Sequence, residues 1–309
     1  YKAIRNANNI VAFTDKYVAA DSEKAQFNNI RGQALTMRAM SHFDLVKIYG
    51  MPYTKDNGAS LGVPVVTENL SNDAKPARNT VAEVYTQIIK DLEDASGLIS
   101  KKRNDGQLNW FATRLLLARA YLYKGDNAKA YEVSSDLLKQ AEGTSFKLFS
   151  NSEYKSAWSQ QTGSEYFYVI YNSAEEISDS KEFLSYLMHR SGYDDLSIST
   201  DYMDLLLEDE NDVRIKIIER YAKNRDYLQK YVSPDYKVSN MPILRISEAY
   251  LIAAEAAVKL GNKENAAGYL NAIVSRANPE KSVDAADVTL ERVLIERRKE
   301  LVGEGHRLY

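Results

Sequence analysis

The sequence predicts a mostly α-helical protein, with helix pairs stacked into an α-α superhelical scaffold and an irregular, Tyr-rich insert containing a little β structure. Three observations carry this expectation. Two stretches, 112–138 and 246–276, each run an apolar helical pattern rich in small residues into a Gly and place an Ala five positions later: Ala118, Gly125 and Ala130 in the first, Ala254, Gly261 and Ala266 in the second. Between them, after Gln140, helical periodicity fades, and Phe146, Leu148, Tyr154, Trp158 and the aromatic run 166–171 stand among Ser, Asn and Gln. Over 309 residues, 44% hydrophobic and 27% charged is the balance of a globular protein with a substantial core.

Helix, turn, helix is a unit that cannot hide its apolar stripe alone, so such pairs stack, and small residues near the turn let antiparallel helices approach closely. The pattern resembles the tetratricopeptide repeat. Tyr121 and Tyr131 occupy aromatic positions of the first copy, whereas the second has Ala257 where Tyr121 stands. The expected layout is one domain, with residues 1–140 and 243–309 as scaffold and 141–242 as the insert.

Along the chain, Ile4, Ala7, Ile10 or Val11, Thr14 and Tyr17 or Val18 make 1–20 an amphipathic helix. A longer helix follows over 30–49, with Leu35, Ala39, Phe43 and Val46 on one stripe, Arg31, Arg38 and His42 beside it, and Gly50 at its end. An Arg partly buried in a helical array pairs with a carboxylate from a neighbouring helix. The expected partners of Arg38 are Glu248 and Glu255, seven residues apart on one helix face. As an acid/base pair those two would lie roughly 10 Å apart, wide even for an inverting glycosidase.

Pro52, Gly58, Gly62 and Pro64 make 51–75 an extended crossing loop. Thr80-Val81-Ala82-Glu83 is a capping box, opening a helix whose inner face is Val81, Val84, Ile88, Leu92 and Ala95. Residues 101–107 form a polar turn, and Asn109 introduces the first pair. In the insert, EYFYVIY at 165–171 is an expected strand. Residues 183–188 form a short helix followed by the loop HRSGYDD, and 202–207 are helical before the acidic turn EDEND. Residues 221–240 form a hairpin or loop, and Ile243 opens the second pair, which Asn278 and Pro279 close. A last helix covers 290–302, its stripe of Leu290, Val293, Leu294 and Leu301 interrupted by Arg297.

Composition narrows the function. A formal net charge of −3 without a basic stripe argues against nucleic acid as a partner. The absence of Cys removes disulfides, thiolate metal sites and a Cys nucleophile. No apolar run approaches a membrane span, and a start at Tyr1 without Met or signal peptide, with an end inside a motif at Tyr309, suggests trimming at both ends. His42, His189 and His306 lack metal-ligand spacing, no phosphate loop is present, and the GEG at 303–305 follows a helix and reads as its stop. No catalytic residue, metal or cofactor is therefore expected, although 43 acidic residues leave a spatially assembled carboxylate pair open.

Six segments taken in order resemble the SusD/RagB family, the surface nutrient-binding lipoproteins of Bacteroidetes. RGQALTMRAMSHFDLVKIYG resembles the family's first long helix, and GVPVV and ARNTVAEVYTQIIKDLEDA its next two blocks. ATRLLLARAYLYKGDNAKA resembles its repeat block, and LRISEAYLIAAEA and ERRKELVGEGHRLY its two carboxy-terminal signatures. The chain is shorter than is usual for the family and carries no lipobox Cys. The resemblance implies a tetratricopeptide-like helical fold without catalysis. It also implies an N-terminal lipid anchor, outside this chain, on the outer membrane surface, and delivery of oligosaccharide to a SusC-like TonB-dependent transporter. The rival classes are a tetratricopeptide adaptor for protein partners and an α-helical glycoside hydrolase.

Sugar recognition needs flat rings to stack on pyranose faces, with amide, carboxylate or guanidinium groups around them for the hydroxyls. Against 8 Phe the chain has 22 Tyr, rings with a polar tip. The insert supplies Trp158 beside Gln160 and Gln161, Tyr171 beside Asn172, His189 and Arg190 with Tyr193 and Asp194, and Tyr236 near Asn240. Tyr193, in a Gly-containing polar loop, leads this set. Trp158 falls where the family has a packing aromatic, which argues for burial.

Overall fold

The computed structural model describes every residue except 18–22, 72, 104, 160–162, 174, 176–180, 182, 222–224, 232–234 and 307–309. Val18, Gln160, Gln161 and the last three residues of the final motif thus lie outside the described residues. Among those described there are eleven α-helices and two small antiparallel sheets, so the chain is mostly α with a little β, the expected class. Packing divides the chain into two compact units, Tyr1–Leu137 and Leu138–Leu308. No helix among the described residues is long and apolar enough to cross a membrane.

The first unit holds α1 (Lys2–Tyr17), α2 (Lys24–Tyr49), α3 (Val81–Ser96), α4 (Trp110–Lys124) and the start of α5 (Asn127–Ala141). The α3 capping box is present in full, with the Thr80 hydroxyl accepting from the Glu83 amide and the Glu83 carboxylate accepting from the Thr80 amide. Val81, Val84, Ile88 and Leu92 are all but fully buried, each removing apolar surface worth about 1.5–3 kcal/mol from water. α2 begins six residues before the predicted Ile30, and Glu23, which precedes it, makes no side-chain cap. That start carries no local signal.

The expected pairing of Arg38 with Glu248 and Glu255 is corrected. Arg38 grips Asp91 of α3 through Nε (2.8 Å) and Nη2 (2.7 Å), and its Nη1 donates to Asn8 Oδ1 of α1 (2.9 Å) and the Thr67 carbonyl (3.1 Å). One guanidinium thus ties α1, α2, α3 and the crossing loop together. Helical spacing specifies the face a side chain occupies, not the helix that lies opposite. His42 adds a second tie: its Nε2 accepts from the Val66 amide (3.1 Å) while Nδ1 meets the Arg38 carbonyl (3.1 Å), so the ring is structural and burial holds its pKa below the usual value.

Both predicted helix pairs form. α4 ends at Gly125 (φ 85°), and the Asp126 amide reaches back to the Tyr121 carbonyl (3.0 Å). In the second unit α9 (Ile246–Lys259) and α10 (Lys263–Ala277) turn at Gly261 (φ 79°), and the Asn262 amide reaches the Ala257 carbonyl (2.9 Å). These bonds close the helix ends in the Schellman pattern, with Gly supplying the left-handed backbone. Because position 121 or 257 contributes its carbonyl to the turn, Ala serves there as well as Tyr.

The rest of the second unit comprises α6 (Tyr154–Ser159), β1 (Tyr166–Ile170), α7 (Leu184–Met188), α8 (Thr200–Leu207), β2 (Ile218–Tyr221), β3 (Arg225–Leu228), β4 (Met241–Arg245) and α11 (Leu290–Glu300). The predicted strand is β1, paired antiparallel with β4, and β2 with β3 form a hairpin. Ile243 therefore belongs to a strand, and α9 opens three residues later than expected. α6 was not predicted: six residues show too little periodicity.

A buried ion network explains the two carboxy-terminal signatures. Arg245 bonds Glu165 (2.5 Å), Glu300 (3.2 Å) and Glu304 (2.8 Å), while Arg276 bonds Glu165 (2.8 Å) and Glu300 (2.6 Å). Arg214 bonds Asp212 (2.6 Å) and Glu296 (2.7 Å), and Lys230 bonds Glu304 (2.6 Å). The side chain of each of these charges is buried, so each is tolerable only with its partners present. Glu255 and Glu248 have partners of their own: Lys259 (2.7 Å) and Arg297 (3.2 Å) for the first, His306 (3.5 Å) for the second. The interruption of the last helix's stripe at Arg297 is thus an ion-pair position.

Candidate functional site

In the second unit, residues 183–195 fold back on themselves as the α7 turn and a compact loop. Ser185, 1% exposed, donates to the Tyr236 carbonyl (2.8 Å), fixing α7 against the 235–238 turn. The Tyr193 amide then donates to the Tyr186 carbonyl (3.0 Å) and the Asp195 amide to the Leu187 carbonyl (3.1 Å). Gly192 makes this fold-back possible, since a Cβ there would fall inside the Tyr186 carbonyl oxygen. Asp194 takes a left-handed backbone (φ 57°), which Asp tolerates better than most residues.

The loop gathers four rings. His189 stacks on Tyr236 at 4.1 Å between centroids and 8° between planes. Tyr186 lies 5.5 Å from Tyr236 and meets Tyr193 edge-on at 5.1 Å. Tyr193 remains 51% exposed at the outside of the cluster. The His189 Nδ1 accepts from the Ser191 amide (3.0 Å), and the Tyr236 hydroxyl donates to the Ser191 carbonyl (3.3 Å). Burial lowers the pKa of His189, and an amide donor on Nδ1 favours the same neutral ring.

Polar groups flank the rings. Asp194 accepts from the Tyr227 hydroxyl (2.6 Å) and pairs with Arg225. Arg190 lies 4.8 Å from the Tyr221 ring centroid and 3.4 Å from Glu219. Tyr193, His189, Arg190, Asp194 and Tyr236 are therefore brought together on one surface. Tyr186, Tyr221 and Arg225 join them, while Tyr227, 2% exposed, holds Asp194 from the interior, and sequence reasoning missed all four. The spacing of Tyr186 and Tyr193 around a Gly is the one local hint of the first.

Two predicted residues stand apart. Trp158 is withdrawn as a ligand contact: it is 3% exposed in the core of the second unit, with Lys230 (4.7 Å) and Arg245 (4.8 Å) set over its ring, so no ring face is open to a sugar. Tyr171 is half-buried against that same core. Asn172 and Asn240 bond each other, the Asn172 amide donating to Asn240 Oδ1 (2.8 Å), and so hold segments together. Among the described residues no group of three or more His, Asp or Glu is placed to hold a metal.

Residues 1–122 match a SusD-like family model described as starch-binding associating with outer membrane, and residues 208–309 match the model of the SusD family. No curated protein matches. Among solved structures, one protein from Bacteroides vulgatus ATCC 8482 is 45% identical, with a TM-score of 0.96 over 100% of this chain and 70% of its own. A SusD superfamily protein from that strain is 40% identical, with a TM-score of 0.92 over 98% of this chain and 71% of its own. A SusD-like carbohydrate binding protein, also from that strain, is 26% identical, with a TM-score of 0.82 over 98% of this chain and 66% of its own. At these identities, over most of both chains, the protein belongs to the SusD superfamily.

Proposed function

We propose that the loop at 183–195 captures oligosaccharide and that the protein, lipid-anchored at the outer membrane surface, passes it to a SusC-like TonB-dependent transporter. The observation that carries the binding step is the four-ring cluster, with Tyr193 exposed at its edge and Arg190, Asp194 and Arg225 around it. A pyranose face packs on the exposed ring, while guanidinium and carboxylate groups take up hydroxyls. Tyr171, half-buried against the core, is left out of this binding surface. The carbohydrate-binding description of one relative and the outer-membrane description of the matched family model support the ligand class and the location. This is recognition without bond-breaking, so no sugar release is expected from any polysaccharide.

Calorimetry against a panel of neutral and acidic oligosaccharides tests the binding step. Tyr193→Ala is expected to weaken the best ligand about tenfold, the scale of a lost aromatic anchor, with an unchanged melting temperature. Unaltered affinity would remove the loop from the site. Co-purification with a TonB-dependent transporter tests delivery, and its failure would leave a binding protein without that partner.

A further inference from the structure

A second concavity in the same unit has no part in the binding described so far. It is a groove of about 750 Å³ lined by Ser152, Lys155 and Ser156 at α6, by residues 216–219 leading into β2, and by Gln229 after β3. The one carboxylate among its described lining residues is already engaged on both oxygens. Glu219 Oε2 accepts from Gln229 Nε2 (3.1 Å), and Oε1 faces Arg190 Nη2 (3.4 Å). The Gln229 amide is in turn bonded to the Ile217 carbonyl (2.8 Å), so this wall is built rather than loosely apposed.

The two ammonium groups are in the opposite condition. Lys155 and Lys216 are exposed, and neither makes an ion pair among the described residues. A groove whose carboxylate is occupied and whose two lysines are free favours negative charge, and an ammonium is a compact point charge that suits carboxylate or sulfate oxygens equally. The groove also adjoins the aromatic loop: Arg190 of the loop lies against Glu219, a groove residue, and over the Tyr221 ring.

From this we infer that the groove is a subsite for a negatively charged sugar residue, so that the oligosaccharide taken by the loop is acidic. The inference rests on the saccharide-binding reading and specifies its ligand class. The shared chemistry is an anionic group on a sugar, either carboxylate or sulfate.

Calorimetry with the full chain separates the possibilities, using an oligogalacturonate for carboxylate, a sulfated galactan oligosaccharide without carboxylate for sulfate, and maltohexaose as the neutral probe. At least one acidic probe should bind about tenfold more tightly than maltohexaose at low salt and lose that advantage at high salt. The double variant Lys155→Gln/Lys216→Gln should lose about tenfold in acidic affinity, with neutral binding and melting temperature unchanged, because both side chains are exposed. The acidic probe that binds names the anion. Equal affinity for acidic and neutral probes, or a double variant that binds the acidic probe like the parent, would overturn the subsite and leave saccharide capture standing. If none of the probes, nor any sugar of the wider panel, binds, saccharide capture itself falls and the subsite with it.

Discussion

Glu300 is the carboxylate on which the buried network of the second unit converges, and replacing it with Gln tests whether that network stabilises the fold. Its side chain is fully buried, 2.6 Å from Arg276, 3.2 Å from Arg245 and 3.5 Å from Arg214. Burial alone would raise its pKa, but Arg276, Arg245, Arg214 and Lys230 together outweigh burial and hold it at about 2, against an ordinary 4.5. At about 1.4 kcal/mol per pH unit, that difference corresponds to about 3 kcal/mol of stability at neutral pH. The range for breaking a buried ion pair, about 3–5 kcal/mol, agrees. Because folding depresses this carboxyl, its contribution is complete above pH 4.5 and is lost as the pH falls from 4.5 to about 2. Glu300→Gln keeps the shape and deletes the charge. It should cost about 3 kcal/mol at pH 7, and the variant should lose stability less steeply than the parent on acidification below 4.5. Urea titration followed by Trp158 fluorescence in a Trp110→Phe background reads the second unit, since the Arg245 guanidinium lies 4.8 Å from the Trp158 ring. A loss below about 1 kcal/mol, or acid limbs that run parallel, would show that the network contributes little beyond offsetting its own desolvation.

Asp91→Ala should destabilise the first unit by about 3–5 kcal/mol, because Arg38, 5% exposed, is left with only Asn8 and a carbonyl; amide exchange in α2 and α3 measures it. A loss of under about 1 kcal/mol would mean that Arg38 reaches water in the variant. Gly192→Ala should push Tyr193 off Tyr186 and weaken saccharide binding as Tyr193→Ala does, with near-ultraviolet dichroism of the tyrosines altered; retained affinity would separate loop geometry from binding. His189 is held below its ordinary 6.5 by burial, so the neutral ring's contribution is full above that pH and is lost as the pH falls through the lowered value. Loop order and saccharide affinity should decline together below pH 6.5, followed by the His189 ring resonances, and a flat profile would contradict the stacked neutral imidazole.

Sequence alone determined the features that neighbours along the chain control. The Thr80–Glu83 box, the Gly125 and Gly261 helix stops and the aromatic, β-branched strand β1 all depend on residues within a few positions of one another. The weakly periodic α6 and the uncapped start of α2 escaped for the same reason: neither has a local signal to read. Only tertiary structure decided who faces whom. It gave Arg38 to Asp91, 53 positions away, and joined Glu165 to Arg245 and Arg276, 80 and 111 positions on. Within the loop at 183–195, sequence could nominate Tyr193, His189 and Arg190 by their setting. It could not show that Tyr186 and Tyr236 complete the cluster, or that Trp158 is sealed beneath buried cations. Periodicity and capping act through bonds of a few residues' span, whereas the partner of a buried charge or ring is whatever the packed elements bring within reach.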